Sequence, residues 1–475
     1  MSRAEFSGAV KIAPDALNDF IAPSQDCVVA LEGKRVTLDE LEDDGHVVVR
    51  PRRSAPSSEL VAAEPVKVTL SDCLACSGCV TSAESVLLEQ QSTAEFAEAC
   101  ARAAGAGAVV VASVSPQSLA SLSAAYGLSD GETRGRLAGM LKTTYGATRA
   151  YDVSFARDLA LAELYAEFVE RASDGSAAPL LASACPGWVC YAEKTHGELA
   201  VPHMATTKSP QQVMGTFVKT AVARDLGVTP NNVYHVSIMP CYDKKLEASR
   251  DDFVREGVKD VDVVLTTGEV TGLLEKAGLC HLRDAPLGTF DPIASVNARA
   301  PESEHAAPFV ASSGGYAEYV FRRAAAELFN APVHGPVEWV PMRNQDMREA
   351  TLTVNNEVVL RVAVAYGFRN IQNLVRMLKM KKTKHQFVEV MACPSGCLNG
   401  GGQLPASNGM SNKELLDALD EQYREVARAR PMADVHTLYR EWIGGEPGSK
   451  NAREMLRTRY HVRSKTVGVV QLNNW

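Results

Sequence analysis

Eleven cysteines occur in the 475-residue sequence, and three of them are crowded into one short segment. The stretch SDCLACSGCV places Cys73, Cys76 and Cys79 at the spacing C-x2-C-x2-C. Three evenly stepped thiolates suit three irons of a cubane cluster, whereas zinc is usually held by two separated C-x2-C pairs. The spacing therefore favours an iron–sulfur cluster over a zinc knuckle or a chance grouping. It does not assign a fourth ligand, and Cys27 is the one cysteine upstream.

The overall composition limits the class of protein. The N-terminus lacks the apolar core of a secretion signal, and AGAVVVASV, the longest mostly apolar run, is too short to span a bilayer. We therefore expect an intracellular protein with no membrane contact and with reduced cysteines. The 49 basic and 57 acidic side chains give a net charge of −8, which disfavours a general role in nucleic-acid binding.

A second group of cysteines lies in segments that share one layout. An apolar, strand-like run ends at a cysteine or glycine turn, and a helical pattern follows. These segments are APLLASACPGW (178–188), NVYHVSIMPCYDKK (232–245), PFVASSGGYAEYV (308–320) and HQFVEVMACPSGC (385–397). Further strands are predicted within 107–116, 262–270 and 358–368. Alternating strands and helices predict an α/β fold with parallel sheet.

Four cysteines follow these predicted strands: Cys185, Cys241, Cys393 and Cys397. Ligands in α/β folds gather at the carboxyl ends of strands, so we expect the four thiols to converge on one closed thiolate site. A buried structural cysteine is the alternative for any single one, and it is a weaker explanation for all four together.

Three consecutive glycines, Gly400 to Gly402, follow the last of these cysteines. A phosphate-binding loop is the alternative explanation, but no G-x-x-x-x-G-K-[ST] motif occurs in the sequence. We therefore interpret the glycines as backbone that passes close to the thiolate site.

Three segments, SACPGW, MPCYDKKLEA and EVMACPSGCLNGGGQ, resemble the cysteine signatures of iron-only hydrogenases, in the same order. The similarity extends over roughly residues 70 to 461. This resemblance implies two lobes of parallel sheet with helices, preceded by a small N-terminal cluster-binding region and followed by a helical C-terminal segment. It also implies a [4Fe–4S] cluster between the lobes, held by four cysteines: Cys185, Cys241, Cys393 and Cys397.

The chain departs from the hydrogenase pattern where hydrogen chemistry would occur. Hydrogenases carry a proton-relaying cysteine at the position of Ala184, and small residues at the positions of Gln117 and Tyr242. Alanine carries no proton, and Gln117 is expected to crowd the diiron pocket. Met239 and Lys244 match the family. We therefore expect a retained cubane in a protein that is not an enzyme, with electron transfer or residual hydrogenase activity as the alternatives.

The single N-terminal cysteine motif, the SPQ turn and the terminal tryptophan resemble the hydrogenase-like factors of cytosolic iron–sulfur protein assembly (nuclear prelamin A recognition factor-like proteins). The segment DALNDFIAPSQDC (15–27) extends the match and implies that Cys27 is the fourth ligand of the first cluster. By this resemblance the protein holds two [4Fe–4S] clusters. It links early scaffold ATPases to the late targeting complex, which includes a WD40 propeller subunit. The implied location is the cytoplasm, with the nucleus in addition.

The predicted organisation has six parts. They are an N-terminal extension that supplies Cys27 (1–68), a single-cluster ferredoxin-like region (69–104), lobe 1 (105–235), lobe 2 (236–410), a helical C-terminal segment (411–465) and a flexible tail (466–475). The tail ends in Trp475, whose ring and carboxylate are expected to bind the targeting complex. The Arg-rich stretch 453–463 is predicted to form a solvated helix face.

Overall fold

The computed structural model describes residues 90–176, 178–293, 312–406, 409–429 and 434–463. All of them fall within one unit, Thr81–Trp475. Five residues of the predicted sites therefore lie outside the described residues: Cys27, Cys73, Cys76, Cys79 and Trp475.

The first sheet has four parallel strands in the order β2-β1-β4-β7. They are β1 (Val109–Val114), β2 (Arg149–Asp152), β4 (Val233–Met239) and β7 (Val263–Thr266). β1 and β4 are almost wholly buried because their side chains enter apolar clusters on both faces of the sheet. Such continuous apolar strands are typical of a parallel sheet covered on both sides.

The second sheet has the order β3-β11-β10-β9-β8. Its strands are β3 (Leu180–Ala182), β8 (Val340–Asn344), β9 (Met347–Val354), β10 (Glu357–Tyr366) and β11 (Phe387–Met391). β3, β11 and β10 are parallel, whereas β9 and β8 extend the sheet as antiparallel strands that the sequence analysis did not predict. A separate two-stranded ribbon consists of β5 (Val254–Arg255) and β6 (Val258–Lys259).

Helices connect and cover the strands. The first seven are α1 (Thr93–Ala106), α2 (Pro116–Tyr126), α3 (Asp130–Gly139), α4 (Ser154–Asp174), α5 (Pro186–Ala200), α6 (Pro210–Phe217) and α7 (Ala223–Asp225). The others are α8 (Asp243–Ala248), α9 (Glu269–Lys276), α10 (Tyr316–Glu327), α11 (Phe368–Lys379), α12 (Asn412–Ala429), α13 (Val435–Leu438) and α14 (Lys450–Leu456). π-Helical segments follow α3, α6 and α13: Met140–Thr144, Val218–Val222 and Tyr439–Ile443. Short 3-10 turns occur at Val201–His203, Pro230–Asn232, Asp251–Phe253, Leu282–Asp284 and Cys397–Asn399.

The two sheets are interleaved along the chain. β4 runs through the predicted boundary between residues 235 and 236, and β3 pairs in the second sheet although it lies within the predicted lobe 1. α4 packs against both α6 and α10, which joins the elements around the two sheets. The α/β class with two lobes is confirmed, while the six-part division stays a prediction.

The Arg-rich stretch differs from its prediction. α14 ends at Leu456, and the following residues lie along the body of the protein, where the Thr458 N–H donates to the Thr206 carbonyl at 2.7 Å. The Arg457 Nε donates to the buried Glu163 carboxylate at 2.6 Å. The stretch is therefore not a solvated helix face, because part of its positive charge is paired with carboxylates inside the fold.

Candidate metal centre

Cys185 lies between the end of β3 and the start of α5, where Pro186 begins the helix because its missing N–H needs no partner there. Its side chain is buried. The Cys185 N–H donates to Ser183 Oγ at 3.0 Å, and the Ala392 N–H donates to Cys185 Sγ at 3.4 Å. The first cysteine signature is thereby joined to the third, 207 positions further along the chain.

Cys241 follows β4 and directly precedes α8. A Cβ added at Gly402 would lie 3.1 Å from the Cys241 Cα, and one added at Gly400 would lie 2.3 Å from the Pro240 carbonyl oxygen. The Gly402 N–H donates to that same carbonyl at 2.9 Å. The prediction of close backbone approach is confirmed for these two glycines, since larger residues would separate the second and third signatures.

Cys393 and Cys397 lie on the loop after β11. Ser395 and Gly396 adopt left-handed φ angles of 58° and 83°, which turn the loop sharply, and the Cys397 N–H donates to Ser313 Oγ at 2.8 Å. The sequence analysis predicted a helix after these cysteines. In the described residues of this loop, the only helical structure is the 3-10 turn Cys397–Asn399. The backbone of the glycine run packs against the second signature, and the next described helix is α12.

Burial raises the pKa of all four thiols, to about 12 for Cys185. The charges of Asp243 and of neighbouring thiols act in the same direction on Cys185 and Cys241, which shows that the thiols share one neighbourhood. A hydrogen bond from Ser313 opposes the effect of burial at Cys397. A buried thiolate at this site needs a positively charged partner. The irons of a bound iron–sulfur core would provide that charge and would replace the thiol protons.

The spacing of the thiols can be compared with that of a single-ion site. Four thiolates at about 2.3 Å from one zinc ion lie about 4 Å from one another. Within the described residues, no three His, Cys, Asp or Glu side chains are grouped closely enough to hold one metal ion. Soft thiolates from three separate segments, with glycine backbone between them, are ligands of the kind that iron–sulfur clusters use.

The residues that depart from the hydrogenase pattern lie beside this site. Ala184 immediately precedes Cys185, and Tyr242 immediately follows Cys241. Met239, which matches the family, is buried at the end of β4. The Gln117 Nε2 donates to the Ser312 carbonyl at 3.1 Å, and the Gln117 carbonyl accepts a hydrogen bond from Gln403. The Gln117 side chain therefore bridges to the loop before α10.

The sequence analysis missed Ser313 and the hydrogen-bonded pair of Tyr366 and Glu389. The Cys397 N–H donates to Ser313 Oγ, and the Tyr366 hydroxyl donates to the buried Glu389 carboxylate at 2.8 Å. Burial raises the pKa of Glu389 to about 7. Ser313 falls within the glycine turn that was recognised, but only the long-range packing brings its hydroxyl to the cysteine.

The other described cysteines are not among the four proposed ligands. Cys100 and Cys190 are half-buried and Cys280 is exposed, and none of the described cysteines forms a disulfide. Burial raises the pKa of Cys100 to about 11, as for an ordinary inert thiol.

Among the described helices, none has both the length and the apolar character needed to cross a bilayer.

Residues 108–401 match the family described as Iron only hydrogenase large subunit, C-terminal domain. A solved structure of the [FeFe]-hydrogenase HydA(deltaEFG) is 26% identical, with a TM-score of 0.64 over 75% of this chain and 94% of that chain. The apo [FeFe]-hydrogenase HydA1 from Chlamydomonas reinhardtii has the same identity and coverage, with a TM-score of 0.61. Fold and cysteine signatures together define an iron-only-hydrogenase-like protein.

The curated relatives narrow this class. Cytosolic iron-sulfur assembly component 3 of Mus musculus is 46% identical over 479 residues, which cover 97% of each chain. Protein NAR1 of Arabidopsis thaliana is 44% identical over 483 residues, again with 97% of each chain covered. The chain belongs to this family of hydrogenase-like cytosolic iron–sulfur assembly factors, which confirms the resemblance inferred from the signatures.

Proposed function

We propose that this protein is a non-enzymatic carrier of two [4Fe–4S] clusters in cytosolic iron–sulfur protein assembly. The observation that carries the proposal is the convergence of four thiols from three distant segments, in a chain whose relatives are named as assembly factors. The second cluster is held by Cys185, Cys241, Cys393 and Cys397. The first is held by Cys27, Cys73, Cys76 and Cys79.

The proposed role is a link between early scaffold ATPases and the late targeting complex with its WD40 propeller subunit, without nucleic-acid or membrane contact. The names of the relatives support work in the cytosol, and we propose the nucleus as an additional location. Ala184 supports a role without hydrogen chemistry, because its methyl side chain neither donates nor accepts a proton beside the site.

Iron content tests the proposal directly. Anaerobically purified protein is expected to contain about eight irons and an equal amount of acid-labile sulfide per chain, since eight cysteines serve two cubanes. EPR of the reduced protein should show two cubane-type signals. Hydrogen evolution from reduced methyl viologen is expected to stay at the level of a protein-free control. Stoichiometric zinc, or sustained hydrogen evolution, would contradict the proposal.

Trp475 tests the partnership with the targeting complex. We propose that its ring fills a pocket while the adjoining carboxylate meets a cationic or N–H site. Deleting Trp475, or adding one glycine after it, is expected to weaken binding by at least tenfold, because aromatic anchors dominate such interfaces. Binding is measured against the purified complex at equal iron content. Equal affinity of the intact, trimmed and extended chains would show that the tail does not contribute to binding of the targeting complex.

A further inference from the structure

The loop that carries Cys393 and Cys397 has positive φ angles at two adjacent positions. The φ angle of Ser395 is 58°, and that of Gly396 is 83°. Glycine adopts positive φ values readily, whereas a residue with a side chain, such as Ser395, is disfavoured there. A turn of this kind persists only where the surrounding groups hold it in place. The residues that contact Ser395 and Gly396 therefore decide where Cys397 lies.

Ser395 is held by hydrogen bonds on both of its peptide groups. Its N–H donates to Asp346 Oδ1 at 2.9 Å, and Ser312 Oγ donates to its carbonyl at 3.0 Å. Asp346 lies in the turn between β8 and β9, and its carbonyl accepts the N–H of Tyr366, the last residue of β10, at 2.9 Å. Two side chains from separate parts of the fold thus fix the disfavoured conformation of Ser395.

The serine after Ser312 holds the next part of the loop. Ser313 is buried, and its Oγ accepts the Cys397 N–H at 2.8 Å. Gly396 packs against both serines, since a Cβ added there would lie 2.2 Å from Ser313 Oγ and 2.6 Å from Ser312 Oγ. A larger residue at this position would displace the two hydroxyl groups. Ser312 and Ser313 together therefore contact three consecutive residues of the loop, 395 to 397.

We propose that Ser312, Ser313 and Asp346, which we call the loop clamp, are positioning residues that fix the place of Cys397 before a cluster binds. The proposal rests on the proposed function for the role of Cys397 as a ligand. The contacts of the loop clamp involve protein groups alone, so they form in the iron-free chain. A ligand that the fold already holds in place has little conformational entropy left to lose when it binds a metal. The loop clamp therefore slows the loss of iron from the second site.

Release of iron to a ferrous chelator from the dithionite-reduced full chain measures this effect. The phase of release that belongs to the second site is the one that Cys241→Ala removes. In Ser313→Ala this phase is expected to be about tenfold faster, because the Cys397 N–H loses its acceptor. Ser313→Thr keeps a hydroxyl group and should stay near wild type. Asp346→Ala should also accelerate release, whereas Asp346→Asn keeps an oxygen acceptor and should not.

A glycine substitution separates positioning of the loop from general stability. Adding Ser395→Gly to Asp346→Ala is expected to slow iron release again by about threefold, because glycine adopts the positive φ without the loop clamp. A general loss of stability would not be repaired in this way, since an added glycine makes the unfolded chain more flexible. The matched control is Ser123→Ala. Ser123 is also buried, and its Oγ donates to Thr133 Oγ1 at 2.8 Å between α2 and α3, so its loss should leave iron release unchanged.

Amide hydrogen exchange of the iron-free full chain tests the loop clamp without a cluster. The N–H groups of residues 395, 396 and 397 all donate hydrogen bonds, so their exchange is expected to be slow in the wild type and about tenfold faster in Ser313→Ala. Rapid exchange of these groups in the wild type, or unchanged iron release in Ser313→Ala and Asp346→Ala, overturns the proposal. If Cys241→Ala removes no phase of iron release, the cluster assignment itself fails. The exchange measurement distinguishes that result, because it requires no cluster.

Discussion

Replacing Cys241 by alanine is expected to lower the iron content from about eight to about four per chain, since an open coordination position releases the second cubane. The melting temperature should fall as well, because the cluster proposed at these cysteines would join segments about 200 positions apart. In the chain-entropy model, a cross-link closing a loop of that length contributes roughly 5 kcal/mol. For a chain of this size, that corresponds to a decrease of roughly 5 to 10 °C.

The measurement combines iron and sulfide analysis with thermal unfolding followed by circular dichroism, under anaerobic conditions. Cys280→Ala is the matched control, because Cys280 is exposed and is not one of the four proposed ligands. It should retain full iron and an unchanged melting temperature. A Cys241→Ala protein with eight irons and wild-type melting would refute the ligand assignment.

Replacing Arg457 by methionine is expected to lower the free energy of unfolding by about 3–5 kcal/mol, the cost of leaving a buried charge without its partner. Glu163 is fully buried, and its carboxylate accepts hydrogen bonds from Arg457 Nε at 2.6 Å, the Gly448 N–H at 2.9 Å and the Tyr439 hydroxyl at 3.2 Å. Arg457 also binds Glu170 through both terminal nitrogens, at 2.8 and 2.9 Å. Removing the Arg457 side chain leaves the Glu163 carboxylate buried without its cationic partner.

Urea unfolding at equal iron content measures this effect. Arg453→Met is the control, because Arg453 also pairs with Glu170 but its side chain is 52% exposed, so a loss of at most about 1 kcal/mol is expected. Adding Glu163→Gln to Arg457→Met should restore part of the stability, since a neutral amide is less costly to bury. Equal losses for Arg453→Met and Arg457→Met would contradict the assignment of a buried ion pair.

The features that the sequence predicted correctly depend on short stretches of neighbouring residues. The strand before Cys241 ends where predicted because a run of apolar residues meets Pro240, and α5 begins at Pro186 because proline lacks an N–H that would need a partner in the first turn. Thiol chemistry at cysteine turns follows from residue type and strand polarity alone. These local signals sufficed for the α/β class and the family, while the assignment of the four cysteines as ligands stays a prediction.

Only the tertiary structure decided which distant groups surround those cysteines. Ser313 reaches Cys397 across 84 positions, and Arg457 reaches Glu163 across 294. The antiparallel extension by β9 and β8 and the helix-free loop after Cys397 depend likewise on contacts with other parts of the fold. No short-range pattern encodes such pairings, because their free energy arises only when the folded chain removes both partners from water. The sequence by itself therefore determined which chemistry is available, and the tertiary structure decided the charges and hydrogen bonds that surround it.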